Sequence, residues 1–303
     1  MEDGIKVTTA PKPVEAEKLE RIVIGLRPKL HRYCARMVGS VVEAEDVVQE
    51  ALTKAVEALP RVRAIENPEA WLFRIAHNAA LDFLRQRERR KVFETDEDVD
   101  MKADPVDEVF QRQAAAAALH TFMRLPVVQR SSVVLKDVLG YSLEEIGDVS
   151  GKSIPAVKAA LHSGREQLRL VALEPDDLTP PVLSEAERDR LAAYVAHFND
   201  RDFDAVRDML AEDVQLELVS KSHMRGRSEV ERYFGNYASI HDWRLDLGFV
   251  DRRPALIVRH PHDPPDKPDY FILLQWVGRQ ISRIRDFRHA RYAMEPAEVT
   301  ALD

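Results

Sequence analysis

Gly140-Tyr-Ser-Leu-Glu-Glu-Ile-Gly-Asp-Val-Ser-Gly-Lys-Ser-Ile-Pro-Ala-Val-Lys-Ala-Ala-Leu-His-Ser-Gly-Arg165 is the stretch on which the fold turns. Ser142 followed three residues later by Glu145 is a capping box, which starts a helix by satisfying free backbone N–H groups from both sides. That helix runs to about Val149, and Gly151 supplies a turn. Ser153 caps a second, longer helix through Arg169, and Pro155 is tolerated in its first turn because no helical N–H is needed there. Val157 and Leu161 face a core, while Lys158, His162 and Arg165 share a more exposed side. Helix, tight turn and basic second helix make a helix-turn-helix pattern, whose second helix fits a major groove. A plain helical hairpin gives the same pattern.

Outward from this stretch the chain alternates in charge. Over 303 residues the formal net charge is −8, a balance that argues against nucleic acid. Split along the chain, it reads otherwise. Residues 18–91 carry 15 basic and 10 acidic groups, and residues 110–172 carry 8 and 5. Residues 92–109 carry 1 basic and 8 acidic groups. Residues 173–303 carry 18 and 25, so two basic blocks are separated and followed by acidic ones.

Composition bounds the class. Hydrophobic residues make up 45%, enough for packed cores. Cys34 is the single cysteine, which excludes an internal disulfide framework and a cysteine-based zinc cluster and fits a reducing compartment. No apolar run reaches the length of a membrane span. The first residues lack the apolar core of a secretory signal, so the expected location is cytoplasmic, with no membrane partner.

These breaks predict three globular pieces: 18–92, 110–172 and 184–295, joined by an acidic linker at 93–109 and a proline-containing linker at 173–183. The expected fold is multidomain: two all-α pieces followed by an α+β piece. In the first, Leu26, Leu30, Tyr33, Cys34 and Met37 recur at helical spacing, as do Val47, Val48, Leu52 and Ala55, then Trp71, Ile75, Ala79 and Phe83. It ends in Leu84-Arg-Gln-Arg-Glu-Arg-Arg-Lys91, which attracts phosphates or, equally, is a solvated helix end. Trp71, Phe73 and His77 beside it suit unstacked bases, though a single tryptophan is as readily core. The third piece starts helical at Leu191–Phe198 and becomes strand-like over 214–219, 244–250, 255–258, 270–277 and 280–287. A turn at Gly278-Arg279 joins the last two, giving a mostly antiparallel sheet.

Three segments together resemble the extracytoplasmic-function group of the sigma-70 family. Glu45-Asp-Val-Val-Gln-Glu-Ala51 resembles the polymerase-binding helix of region 2. Asn67-Pro-Glu-Ala-Trp-Leu-Phe-Arg-Ile-Ala-His-Asn78, with Asp82 and Arg85, resembles its promoter-melting part. Leu125-Pro-Val-Val-Gln-Arg130 and the helix-turn-helix resemble region 4. The resemblance implies a bacterial initiation factor whose partners are core RNA polymerase, through the β′ clamp helices and β flap, and promoter DNA. It assigns Asp46, Gln49 and Glu50 to polymerase and Arg61, Arg63, Asn67, Trp71, Arg74, Asn78, Arg85 and Arg87 to the −10 element. Ser153, Ala156, Lys158, His162 and Arg165 fall to the −35 element. Family members often carry a basic residue after the histidine, where this chain has Ser163-Gly164.

Residues 186–294 resemble a SnoaL-like domain of the NTF2 fold, a cone with an internal pocket. In some sigma factors such a fused domain regulates the others in cis, which implies an intramolecular contact. Related folds include isomerases and cyclases, so a ligand sensor or an enzyme tethered to DNA is the alternative; the expectation here is no enzyme and no cofactor. Candidate pocket residues are Asp213, His223, His241, Trp243, Trp276 and Asp286, each of which reads equally as surface or sheet packing. His260-Pro-His262 lacks a third ligand, so no metal is expected.

Overall fold

A computed structural model describes residues 13–59, 65–90, 114–115, 117–173, 181–238, 242–264 and 267–302. The chain forms two compact units, Met1–Pro175 and Asp176–Asp303.

The first unit is helical. α1 (Pro13–Val38), α2 (Val41–Ala58) and α3 (Pro68–Arg90) pack on one another. α1 ends at Gly39, whose positive φ of 79° suits a residue without Cβ, and Ser40 caps α2 by accepting the Glu43 N–H. Leu30, Tyr33, Met37, Val47, Val48, Leu72 and Phe73 are buried. On α3 the deepest residues are Leu72, Phe73, Ala76, Ala80 and Leu84, whereas Trp71, Ile75 and Phe83 are half-buried. The expected stripe is therefore corrected by about one position, with Ala79 common to both. Glu45 is buried in α2 and ion-paired to Arg27 of α1.

α4 (Leu119–Met123) and α5 (Val127–Val133) follow, and α5 continues into a π-helical turn at Val134–Val138. α6 (Leu143–Ser150) begins with both capping-box bonds, Ser142 N–H to Glu145 at 2.8 Å and Glu145 N–H to Ser142 at 3.2 Å. It ends on Gly151 at φ 70°, whose N–H reaches the Gly147 carbonyl at 2.8 Å. α7 (Ile154–Leu173) is the second helix of the motif, and Ser153 accepts the Ala156 N–H at its start. The two helical pieces expected as separate modules lie within one compact unit, because buried contacts run between them.

The second unit is α+β. α8 (Glu185–Asn199) opens with a capping box at Ser184/Glu187, and α9 (Phe203–Asp208) is capped by Asp202. The strands are β1 (Leu210–Leu218), β2 (Ser222–Arg225), β3 (Arg244–Val250), β4 (Arg253–Arg259), β5 (Tyr270–Val277), β6 (Gln280–Asp286) and β7 (Val299–Ala301). α10 (Arg227–Ala238) lies between β2 and β3. The sheet order is β2-β1-β6-β5-β4-β3-β7, with β1 and β6 parallel and the other pairs antiparallel. Bulges interrupt β1/β6 and β5/β6, and bulges increase local bend and twist. The helices close one face through Tyr194, Phe198, Phe203, Phe234 and Tyr237, joined by Trp243 just before β3. Phe198 sits at their centre, with ring centroids 4.7 Å from Trp243 and 5.2 Å from Tyr237.

Candidate nucleic-acid interface

α2 presents Asp46, Gln49 and Glu50 on its exposed side, because its apolar residues Val47, Val48, Ala51 and Leu52 turn inward. Glu50 pairs with Lys54 at 2.8 Å, and Gln49 accepts a bond from Arg27 at 3.0 Å. The three polar side chains therefore form one solvated patch next to the carboxylate–guanidinium contact of Glu45 with Arg27.

α3 carries a second polar stripe, in which Arg74, Asn78 and Arg85 are exposed and Trp71 and Asp82 half-buried. Trp71, Arg74, Asn78, Asp82 and Arg85 recur every three or four residues, opposite buried Phe73, His77 and Leu84. Asn67 caps the helix, its side-chain carbonyl accepting the Ala70 N–H at 3.1 Å. Arg85 bonds Asp82 at 3.0 Å on the surface. Arg87 departs from expectation: it donates to the Val38 carbonyl at 2.8 Å and lies 3.6 Å from Glu43, so it caps the C-terminal end of α1. His77 is also turned inward, its Nδ1 2.6 Å from the Tyr33 hydroxyl. Burial, with the nearby Lys152 and Arg85 charges, pushes its pKa down to about 4, so the ring is neutral. Arg61 and Arg63 lie outside the described residues.

The start of α7 is the most open part of the helix-turn-helix. Residues 151–156 and Lys158 are exposed, and Ser153, Ala156 and Lys158 point into solvent together. His162 is half-buried, with Nε2 3.6 Å from the Glu166 carboxylate. Arg165 is corrected from groove-facing to core: its Nε and Nη2 donate to the two oxygens of buried Asp137 at 3.0 and 2.6 Å. Asp137 sits in the π-helical turn, which aims its carboxylate at α7. Gly164 has a packing reason. A Cβ there would lie 2.8 Å from Val133 Cγ2 and 3.2 Å from the Gln129 carbonyl, so glycine lets α5 and α7 approach closely.

In the second unit, Asp286 is fully buried. It accepts from the Tyr233 hydroxyl at 2.8 Å, the Tyr237 hydroxyl at 3.0 Å and the Arg288 N–H at 2.7 Å. Desolvation raises its pKa above the usual carboxylate value, opposed by these three bonds. Trp243 is buried nearby against Tyr237, whereas Trp276 is half-buried with the Arg190 guanidinium 5.3 Å from its ring centre. Asp213 and His223 are exposed on β1 and β2, and His241 lies outside the described residues. The sequence does not single out Tyr233 and Tyr237, which lie one turn apart on α10. Their link to a carboxylate about fifty residues on leaves no local trace. His260 and His262 are on an external loop, and no group of three metal-ligating residues occurs among the described residues. No described helix is long and apolar enough to cross a membrane.

A helix with an exposed acidic face, a helix with an aromatic–basic stripe and a helix-turn-helix thus lie on one compact unit. Residues 22–90 match Sigma-70 region 2, and residues 116–168 match Sigma-70, region 4. ECF RNA polymerase sigma factor SigW of Bacillus subtilis is 32% identical over 161 residues, covering 49% of this chain and 85% of SigW. ECF RNA polymerase sigma factor SigG of Mycobacterium tuberculosis is 32% identical over 218 residues, 63% of this chain. The chain spans 59% of SigG's length. Among solved structures, the M. tuberculosis extracytoplasmic function sigma factor SigJ is similar at 21% identity and a TM-score of 0.34, covering 86% of this chain and 93% of SigJ. The chain belongs to the extracytoplasmic-function sigma factors.

Proposed function

We propose that this protein binds core RNA polymerase and directs promoter-specific initiation. The observation that carries the reading is the joint presence of three separate surfaces on one unit of a sigma-family chain: exposed Asp46, Gln49 and Glu50 on α2, exposed Arg74, Asn78 and Arg85 beside half-buried Trp71 on α3, and exposed Ser153, Ala156 and Lys158 on α7. The acidic patch suits a basic face of polymerase. The α3 stripe suits an opened −10 strand, where a ring holds an unstacked base and guanidinia hold phosphates. Lys158 serves phosphates of the −35 groove, and Ser153 and Ala156 approach base edges. The work assigned is recognition and strand separation, with no covalent chemistry.

Run-off transcription with core polymerase and a promoter library tests this. The full chain is expected to give promoter-dependent transcripts and to bind core. Combined Asp46→Ala and Gln49→Ala should abolish core binding with the fold intact, and Lys158→Ala should weaken promoter binding and flatten its salt dependence. Core binding unchanged by the α2 substitutions overturns the assignment of that face.

The second unit, acidic overall, is assigned regulation in cis. A protease site placed within 174–180 tests it: transcription before and after cleavage should differ, and equal activity overturns the role. A small-ligand role for this unit is favoured by one observation. Around Asp286, the buried Tyr194 hydroxyl and Trp243 Nε1 have no hydrogen-bond partner among the described residues. Native mass spectrometry of the full chain would show a retained small molecule under that reading and a bare chain otherwise.

A further inference from the structure

Residues 173–303 carry 18 basic groups against 25 acidic ones, yet cations gather at one end of the sheet. β6 ends at Asp286 and the chain turns back. Phe287 and Ala290 point into the fold, Arg288 is half-buried, and His289 and Arg291 are exposed. The turn is fixed from within. Phe287 stacks on Phe271 with ring centres 4.1 Å apart, the Arg288 N–H donates to Asp286 at 2.7 Å, and the Ala290 N–H reaches the Phe287 carbonyl at 2.8 Å. The turn after β1 comes to the same place, because the Val219 N–H donates to the Asp286 carbonyl at 3.0 Å. It carries exposed Lys221.

Tyrosine rings back the two arginines. The Arg288 guanidinium lies 5.1 Å from the Tyr237 ring centre and that of Arg291 5.7 Å from the Tyr270 ring centre, and the two tyrosine hydroxyls are 3.1 Å apart. A ring face attracts a guanidinium without using its N–H donors, so those donors stay available at the edge. Arg291 lies 3.6 Å from Asp269, whereas Lys221, Arg288 and His289 have no ion pair among the described residues. His289 registers the crowding: burial, and then the charges of Lys221, Arg288 and Arg291, lower its pKa. Like charges held together in this way repel one another, and an anion placed among them relieves the repulsion.

We propose that Lys221, Arg288, His289 and Arg291 form a binding site for a small phosphate monoester. The guanidinium forks match pairs of phosphate oxygens, and Lys221 and His289 add donors at the rim. A small ester suits the site better than a DNA strand, because the acidic unit around the cluster repels a long polyanion. The site lies wholly within the second unit and does not depend on the promoter-reading role.

The test is calorimetric titration of the full chain with inorganic phosphate and with phenyl phosphate, each against chloride at matched ionic strength. Both should bind saturably. Arg288→Gln should weaken binding about tenfold, as expected for loss of hydrogen bonds between charged groups, and Lys221→Gln, on an exposed turn, about threefold. Asp269→Asn releases Arg291 and should tighten binding about threefold, a change of sign that a damaged fold does not produce. Arg279→Gln, in the turn at the far end of β5 from Tyr270, should leave it unchanged. Short duplex DNA should not compete for the site. Phosphate binding no better than chloride overturns the proposal. So does binding that survives both Arg288→Gln and Lys221→Gln, or that duplex DNA displaces.

Discussion

Asp137 in the helical unit and Asp286 in the α+β unit are both buried carboxylates, and they are satisfied in opposite ways. Asp137 meets a guanidinium, with two bonds from Arg165. Asp286 meets hydroxyls and one backbone N–H, with no bond from a charged side chain among the described residues. A buried ion pair fixes both partners in one geometry, and removing one leaves the other charge stranded. A hydroxyl cluster is adaptable, because each O–H rotates to donate or accept. The same substitution should therefore hurt one unit and barely touch the other.

Asp137→Asn carries the largest expected effect. The asparagine N–H2 would face a guanidinium that only donates, and Arg165 would remain charged in the core. The cost is about 3–5 kcal/mol, read as a lower urea midpoint of the helical transition. A loss under 1 kcal/mol would show that Arg165 finds another partner, and the contrast with Asp286 would then fail.

His77 sharpens the comparison with a third buried group, one satisfied while neutral. Its folded pKa is about 4 against an ordinary 6.5, chiefly from burial. Between these values the unfolded chain takes up a proton that the folded chain refuses. Stability should therefore fall as pH drops from 6.5 towards 4, by about 3 kcal/mol in all from this group. His77→Asn places an acceptor near the Tyr33 hydroxyl without a titrating ring. Urea midpoints across that range should lose part of their slope in the variant, and parallel curves would count against a neutral buried histidine.

Gly164 tests how closely the ion pair's neighbourhood is packed. In an open helix, glycine to alanine stabilises by about 1 kcal/mol. Here the added methyl would meet Val133 and Gln129 at 2.8 and 3.2 Å, so Gly164→Ala is expected to destabilise by about 1–2 kcal/mol. A stabilised variant would mean that α5 yields easily. The sequence marked Gly164 as a departure from the family pattern but did not reveal its packing role, because Val133 and Gln129 lie some thirty residues away. What was legible was local. The capping box at Ser142/Glu145, the left-handed Gly151 and the cap at Ser153 are all formed by neighbours in the chain, and all are in place. The three sigma-type segments were legible by motif, and the α2 face by helical period, whereas the α3 stripe was displaced by about one position. What was hidden is long-range. Arg165 turns inward because of Asp137, Arg87 because of the end of α1, and Tyr141 meets Glu69 across 72 residues. In the α+β unit, the strand-like runs covered β3, β5 and β6 whole and most of β1 and β4, whereas β2 and β7 are too short to show a pattern.

The smallest expected effect is at Asp286, and it completes the contrast. In Asp286→Asn the carbonyl can keep the Arg288 N–H, while the N–H2 turns to Tyr233 and Tyr237, whose hydroxyls rotate to accept. The cost should be about 1 kcal/mol or less, against several for the same change at Asp137. Its pH dependence has a definite sign. The folded pKa of Asp286 is raised by burial, so the unfolded chain ionises first as pH rises, and stability falls from the ordinary carboxylate pKa up through the folded one. Asparagine does not ionise and escapes that loss. The variant should therefore improve relative to the parent as pH rises from acid towards neutral. A variant that instead falls further behind would mean that Asp286 works as a charge, like Asp137, and would erase the difference between the two units.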